Sequence, residues 1–588
     1  MNNAVSPSPS RSYLFFALLI LASFLIAAVI PPVQSPDEPD HLKRAYLFGH
    51  GQLLLSSEQG QLSGGMVDPA LLKYFSIFSA MHFKPDVKVA DLDLQTATTL
   101  RWSGDRVFSA APGTGYYLPL IYLPQAVALR ASEAIDLTID QSYTLVRLTT
   151  LAAIALVLVF AARLFPIPPL GLVLLFLPMS LFQLASPTLD GLISALSILA
   201  LAIYMRAVEQ RSISNRLLFA LSITVFLIAS SRVNLLPLTL LIGVLYIYTR
   251  RSATLAYATV TLIASVVWTL IALKTTVDTR IEATGKTGEI ILYYLTGPQH
   301  FIYVLANTLV DPTYLAFYAK SFLGILGQLD TYFTGRVYLM IMGSAAVIGL
   351  LTLAPRFRIA HAALILASFA AVLLTFFALL INWNTHPAVQ IAGVQGRYFL
   401  IPAMLVAYAI SSPTTATRPL RVVATLVLSG YIAFSTMNTV TTLIARYYTN
   451  LPVVQAPTFD IVPSPALSRA SPIKFALPLD AEGKPLHLNE LAIMIGTYKR
   501  SNPGQAVLLL TDEKGENTSI PFNLAELEDN AYRPFDLGGN AYRTAEIQAI
   551  DGGGISVWMT APADGKGSLV CLKLSEPGKL RKGTAGCP

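Results

Sequence analysis

Tyr13-Leu14-Phe15-Phe16-Ala17-Leu18-Leu19-Ile20-Leu21-Ala22-Ser23-Phe24-Leu25-Ile26-Ala27-Ala28-Val29-Ile30 is followed within five residues by Ser35-Pro36-Asp37-Glu38-Pro39-Asp40-His41. The first run is uncharged and close to the roughly 20 residues needed to cross a bilayer. The second places adjacent carboxylates, and a histidine one helical turn on, where the chain leaves the lipid. Carboxylates at such a boundary are costly to desolvate, so they require a structural or a chemical reason.

The rest of the chain fits a membrane setting. Of its 588 residues 54% are hydrophobic and only 13% are charged, and apolar windows recur to about residue 444. This composition is that of a polytopic α-helical membrane protein. The net charge of +7 does not point to nucleic acid, because the arginines sit mainly in short connectors where they orient helices. Arg11 precedes the first apolar run as in a signal peptide. Val29-Ile30-Pro31-Pro32-Val33, however, lacks a small-residue cleavage site, so residues 1–31 are read as an uncleaved first span.

Candidate spans are 12–31, 115–131, 142–163, 168–184, 189–206, 216–231, 233–249, 253–274, 337–354, 358–382, 398–412 and 420–444. Placing the basic connectors Arg206/Arg211/Arg216, Arg250/Arg251, Arg356/Arg358 and Arg418/Arg421 in the cytoplasm gives consistent alternation from residue 189 onward. The stretches 275–336 and 383–397 and the tail then face outward. Twelve crossings conflict with that tail placement. Either one of the weaker segments, 115–131 or 168–184, does not cross fully or a further crossing lies outside this set, and about 11 to 13 helices are expected.

Four regions result: the first span (1–31), an outer loop with amphipathic helices (32–114), a multi-span domain (115–445) and a soluble β-rich domain (456–588). Pro69-Ala70-Leu71-Leu72-Lys73-Tyr74-Phe75 is one amphipathic piece of the loop. The tail alternates β-type runs (491–495, 506–510, 555–559) with Gly, Asp, Asn and Pro turns, the spacing of a β-sandwich. Cys571 and Cys587, the only cysteines, are suited to one small disulfide loop in an oxidising compartment or to two reduced thiols.

The acidic cluster has two readings. Structurally, Ser35-x-x-Glu38 with Pro36 inside is a capping-box start, and Asp40 with Arg44 is an i,i+4 surface pair. Chemically, if Glu38 serves the cap, Asp37 remains available as a general base, kept ionised by the helix N-terminus, with His41 on its face. The two are compatible. Asp37, Glu38, Asp40 and His41 also offer oxygen and nitrogen ligands for a divalent metal. Consecutive helical residues point apart, though, and no metal is assigned.

Pro36-Asp37-Glu38-Pro39-Asp40-His41-Leu42-Lys43-Arg44-Ala45 resembles the signature of a bacterial membrane-protein family labelled domain of unknown function 2142. Further matches are Tyr117-Leu118-Pro119-Leu120-Ile121-Tyr122-Leu123-Pro124-Gln125, Pro178-Met179-Ser180 through Asp190, Gly324-Ile325-Leu326-Gly327-Gln328-Leu329-Asp330-Thr331 and Gly393-Val394-Gln395-Gly396-Arg397-Tyr398-Phe399. More distantly, an Asp-Glu pair after the first helix followed by a long outer loop is similar to GT-C glycosyltransferases. That resemblance implies a bacterial inner-membrane enzyme moving a sugar from a polyprenyl-phosphate donor to a glycan or lipid acceptor outside the membrane. It maps the catalytic base onto Asp37, with Glu38 in support. Some enzymes of that superfamily use divalent metal and others do not. Leu118-Pro119-Leu120 departs from the Pro-Pro pair many of them carry.

A lipid-phosphate leaving group calls for cationic or hydrogen-bonding partners. Arg397 and Tyr398, at the start of a span, are the leading pair, Arg397 otherwise being a snorkelling arginine. His41 and His386 are further candidates. Tyr117 is also retained as a candidate substrate contact, although Tyr116, Tyr117 and Tyr122 read first as an interfacial aromatic belt. Asp190, Arg147 and Arg232 are ionisable groups in or near spans and therefore functional candidates. Asp330 has no derivable role. The rival functions are a transporter or flippase of lipid-linked or polysaccharide substrates, and a polysaccharide polymerase or ligase. A transporter would usually show two related halves, and none is evident.

Overall fold

The computed structural model describes residues 9–57, 61–278, 287–354, 358–384, 386, 388–412, 418–454, 460–480, 483–498, 500–561, 569–577 and 582–585. Arg356 and Cys587 lie outside these residues. The chain divides into two compact units, Met1–Ala456 and Pro457–Pro588.

Among the described residues of the first unit six helices are long and apolar enough to cross a membrane: Ile139–Leu164, Leu189–Gln210, Ser252–Thr275, Gly335–Thr352, Ile359–Asn382 and Pro419–Tyr447. Shorter apolar helices cover Leu14–Val29, Asn215–Ser231, Val233–Thr249 and Gly396–Ile410. Leu189–Gln210 is the enclosed centre, with 83% of its apolar window buried against 17% to 44% for the other five long helices. The remaining helices turn apolar side chains outward, as proteins solvated by lipid do.

Two expected spans are not continuous apolar helices. Segment 168–184 breaks into Pro169–Leu175 and Pro178–Ala185, because Pro178 holds Leu177 in an extended conformation (φ −58°, ψ 141°). Segment 115–131 becomes a 3₁₀ turn at Pro119–Tyr122 followed by the helix Leu123–Ala134, about 18 Å long at 1.5 Å per residue.

The 32–114 stretch is built from the helices Glu38–Gly49, Pro69–Ser79 and Asp91–Thr99 and a two-stranded sheet, Gly64–Val67 with Val107–Ala110. The amphipathic piece at 69–75 opens the second of these helices, where Asp68 caps the N-terminus by accepting from the Ala70 N–H at 2.8 Å. The helices Thr287–Thr296, Pro298–Val310 and Pro312–Gly324 occupy the 275–336 stretch.

The Gly327-Gln328-Leu329-Asp330 motif braces the 32–114 stretch. Gly327 adopts φ +64°, and a Cβ there would lie 2.2 Å from Asp330 Oδ1. Asp330 Oδ2 accepts from the Phe83 N–H (3.0 Å) and from Arg446 Nη2 (3.1 Å). Arg446, fully buried, also donates to the carbonyls of Met81 (2.6 Å) and Val87 (3.3 Å). Gln328 Nε2 donates to the carbonyls of Ser35 (2.8 Å) and Val33 (3.3 Å), so the brace reaches the residues just before Asp37.

In the second unit the strand His487–Gly496 pairs antiparallel with Ala531–Ala541, Ser556–Ala561 and Leu572–Ser575 in a seven-stranded sheet. A four-stranded sheet runs Ile473–Ala476, Thr544–Ala549, Gln505–Thr511, Asn517–Asn523. Leu491, Ile493 and Ile495 from the first sheet and Leu508, Leu510 and Ile547 from the second share one buried cluster. Cys571 is buried and disulfide-bonded.

The brace generates a stability prediction. Removing one partner of a buried ion pair leaves the other charge unpaired and costs about 3–5 kcal/mol. Asp330→Asn and Arg446→Met should each lower the detergent-solubilised melting temperature clearly. The double variant should recover part of the loss; fully additive losses would show that the pair is not coupled.

Candidate functional site

Asp37 is the N-cap residue of the helix Glu38–Gly49, yet its side chain makes no capping hydrogen bond. Its backbone is left-handed (φ 60°, ψ 7°), a conformation aspartate tolerates better than most residues. Its carboxylate is 59% exposed and lines a cavity of about 480 Å³. The expected capping box is only half present. Glu38 accepts from the Ser35 N–H at 2.9 Å as such a box requires, but the helix begins at Glu38 rather than at Pro36.

Glu38 is completely buried and is not among the residues lining the cavity. It also accepts from the Val33 N–H (3.2 Å) and the Tyr143 hydroxyl (2.5 Å), while Arg147 donates to that hydroxyl and to the carbonyls of Ala27 (2.6 Å) and Ile30 (2.8 Å). Burial pushes the Glu38 carboxyl above its ordinary pKa, and the Arg147 charge and these donors oppose that shift. Glu38 and Arg147 therefore fasten the end of the first helix to the turn that presents Asp37. Asp40 pairs with Lys43 at 2.7 Å rather than with Arg44. Arg44 is instead buried and donates to the Gln52 and Leu53 carbonyls.

Behind Asp37 runs a chain of buried charges. Arg397 Nη2 lies 3.4 Å from Asp37 Oδ2 and its Nη1 3.5 Å from Asp190 Oδ2. Asp190 Oδ1 accepts from Arg232 Nη2 at 2.5 Å, and Arg232 Nη1 donates to the Tyr117 hydroxyl at 3.1 Å. The Arg232 guanidinium sits 5.0 Å from the Tyr117 ring centroid and 5.7 Å from that of Tyr398, a cation–π arrangement. Arg397 reaches its place because Gly396 packs on the helix Pro312–Gly324, where a Cβ would lie 2.1 Å from the Tyr318 carbonyl oxygen.

The structure thus brings together Asp37, His41, Tyr117, Arg397 and Tyr398. Arg397 does not snorkel: it is 3% exposed, held between two carboxylates and absent from the cavity lining. The arginine on the lining is Arg232, beside Tyr117 and Tyr398. His386 is elsewhere, with Nδ1 3.1 Å from the Tyr294 hydroxyl and outside the lining. The tyrosines do not form a belt. Tyr122 is buried with its hydroxyl 2.7 Å from His41 Nδ1, and Tyr117 stacks on the His41 ring at 6.0 Å. The Asp190–Arg232 pairing was not foreseen from the sequence. Its signal is one acid and one base, each alone in apolar surroundings, which must find each other or a cavity.

The rest of the lining is mixed: Asp40, Asp278, Asn234, Asn382 and Gln395 are polar, whereas Leu374, Phe377 and Ile381 of the helix Ile359–Asn382, with Leu236, Leu273 and Ile291, supply apolar surface. Among the described residues no three His, Cys, Asp or Glu side chains converge to hold a metal. The cavity therefore offers three carboxylates, one arginine and aromatic hydroxyls together with apolar surface, a lining suited to a ligand with both polar and apolar parts.

Burial draws the His41 imidazole down to about 4, against the attraction of Asp190 and Asp37 for its protonated form. The unfolded chain takes up this proton near 6.5, so between pH 6.5 and about 4 the unfolded state binds more protons and stability falls as pH falls. His41→Gln should flatten the fall of melting temperature across that window, on top of a pH-independent offset from the lost Tyr122 and Tyr117 contacts. An unaltered slope would contradict a buried neutral His41.

A model of the family described as predicted membrane protein (DUF2142) matches residues 18–406, more than half of the chain. Comparison with curated proteins gives no match. The matched region contains Asp37, Asp190, Arg232 and Arg397 and all of the cavity lining. The chain belongs to this family of membrane proteins.

Proposed function

We propose that this membrane protein is a glycosyltransferase of GT-C type, in which Asp37 is the general base and a polyprenyl-phosphate sugar is the donor. One observation carries the reading. The Asp37 carboxylate, withdrawn from capping and exposed, lines a cavity shared by Arg232, three tyrosines and apolar side chains. A lipid-linked sugar phosphate has the matching parts: an anionic headgroup for Arg232 and a hydrocarbon tail for Leu374, Phe377 and Ile381.

In the proposed reaction Asp37 takes the proton of an acceptor hydroxyl as that oxygen bonds to the anomeric carbon. The bond from that carbon to the phosphate oxygen breaks, and the lipid phosphate departs with the electron pair. Arg232 and the Tyr117 and Tyr398 hydroxyls are placed to stabilise the charge gained there. Arg397 acts one step back, holding Asp37 and Asp190 in place. No covalent enzyme intermediate forms, so the anomeric configuration inverts. His41, neutral at physiological pH, contributes ring surface and no charge.

The reading places the protein in a bacterial inner membrane with the 32–114 stretch outward, and the acceptor is a cell-envelope glycan or lipid. The C-terminal unit is then a sandwich-like extracytoplasmic domain.

Purified full-length Asp37→Asn, given labelled polyprenyl-phosphate sugars and envelope glycan acceptors in proteoliposomes, should lose turnover by about 10²- to 10⁴-fold. Donor binding should persist. Undiminished turnover would remove Asp37 as base, and movement of the donor across the bilayer with no product would favour a transporter.

A further inference from the structure

We propose that the helices Thr287–Thr296 and Pro298–Val310 lie in the lipid–water boundary with their outer faces against bilayer lipid, so that the cavity wall supplied by the first of them is backed by lipid rather than water. The inference concerns the cavity's surroundings and stands whatever reaction the cavity hosts.

The sequence carries no Asp, Glu, Lys or Arg from Ile290 to Val310. Such a stretch has the length and neutrality of a span, but Gly297-Pro298 divides it. The two helices, of 10 and 13 residues, are about 15 Å and 20 Å long, short of the roughly 30 Å hydrocarbon core.

Their inner faces are already used. Ile290, Tyr294 and Val304 pack with Phe376, Leu380 and Ile381 at the end of the helix Ile359–Asn382. The opposite faces remain apolar, with Leu292, Leu295, Ile302 and Val310 each 58–65% exposed. A helix apolar on both sides is stable only where both are removed from water. What covers the outer faces is indicated by continuity. The helix they pack on, itself long and apolar enough to span, exposes Ile365, Leu366 and Phe369 farther along its length. Tyr293 and Tyr303 are about half exposed on the same two short helices, as aromatic side chains at headgroup level are.

The consequence concerns access. Thr287 and Ile291 line the cavity, whereas Leu292 and Leu295, on the same helix, face outward. A single helix therefore separates the cavity from the acyl chains, so an amphiphilic substrate can approach in the plane of the membrane.

The test uses the full-length protein in nanodiscs, with Leu295→Cys, Ile302→Cys and, as a water-exposed reference in the second unit, Glu513→Cys. Each is labelled with an environment-sensitive fluorophore, and the wild-type background is subtracted. The positions are exposed, so folding does not rely on them, and melting temperature checks that it is retained. The proposal expects blue-shifted emission at 295 and 302, several-fold stronger quenching by lipids spin-labelled near the headgroup than at 513, and little quenching by aqueous iodide. Iodide quenching equal to that at 513 would overturn it. Protection from both quenchers would overturn it too, by showing a protein surface over these faces. Neither outcome depends on turnover, so failure here is separable from failure of Asp37 as base.

Discussion

The arrangement rests on a run of alternating charges, Asp37–Arg397–Asp190–Arg232, the last three buried beside an apolar core and the first exposed. Each member comes from a different part of the chain: the turn after the first helix, the connector before the helix Leu400–Ile410, the start of the central helix and the end of the helix Asn215–Ser231. Isolated charges in such surroundings would be strongly unfavourable, so the partners hold one another in place. Asp190 is the pivot, since both arginines reach it. Asp37 is the terminal member, bound on one side only, at 3.4 Å, and otherwise facing the cavity.

Two further contacts decide where that terminal member sits. Glu38, buried among three donors, ties the turn to the first helix and to Arg147. Gln328 holds the Val33 and Ser35 carbonyls from the other side, on a motif that Asp330 and Arg446 lock to the end of the last membrane helix. The left-handed backbone at Asp37 is sustained by these flanking restraints, and it keeps the carboxylate off the helix N-terminus. Adjacent acids thus have opposite fates: Glu38 is spent on structure, and Asp37 is left for chemistry in the proposed reaction.

Much of this was legible in the sequence and some was not. Apolar runs marked the six long membrane-type helices among the described residues, fewer than the 11 to 13 expected, because lipid solvation imposes a composition that single residues cannot disguise. The two weakest runs failed where proline intervened, at Pro178 and Pro119, positions at which periodicity alone overstates helix length. The helices at 287–310 escaped a search for spans because Gly297-Pro298 cuts an otherwise uncharged stretch in two. The acidic cluster announced itself by its cost. The roles of its members depended on partners more than 100 residues away, Tyr143 for Glu38 and Arg397 for Asp37, which no local pattern reveals. Arg397 read as the leading phosphate partner, yet it is Arg232, singled out only as an ionisable group near a span, that lies on the cavity wall.

The central claim is that the cavity receives the head of a lipid-linked donor next to Asp37. The most direct measurement is a cryo-electron microscopy structure of the protein in nanodiscs with a non-transferable polyprenyl-phosphate sugar analogue. The account predicts density for the phosphate beside Arg232, with the sugar within hydrogen-bond reach of the Asp37 carboxylate and the isoprenoid chain along Phe377 and Ile381. A headgroup bound away from this cavity, or an occupied cavity with Asp37 turned out of it, would contradict the account.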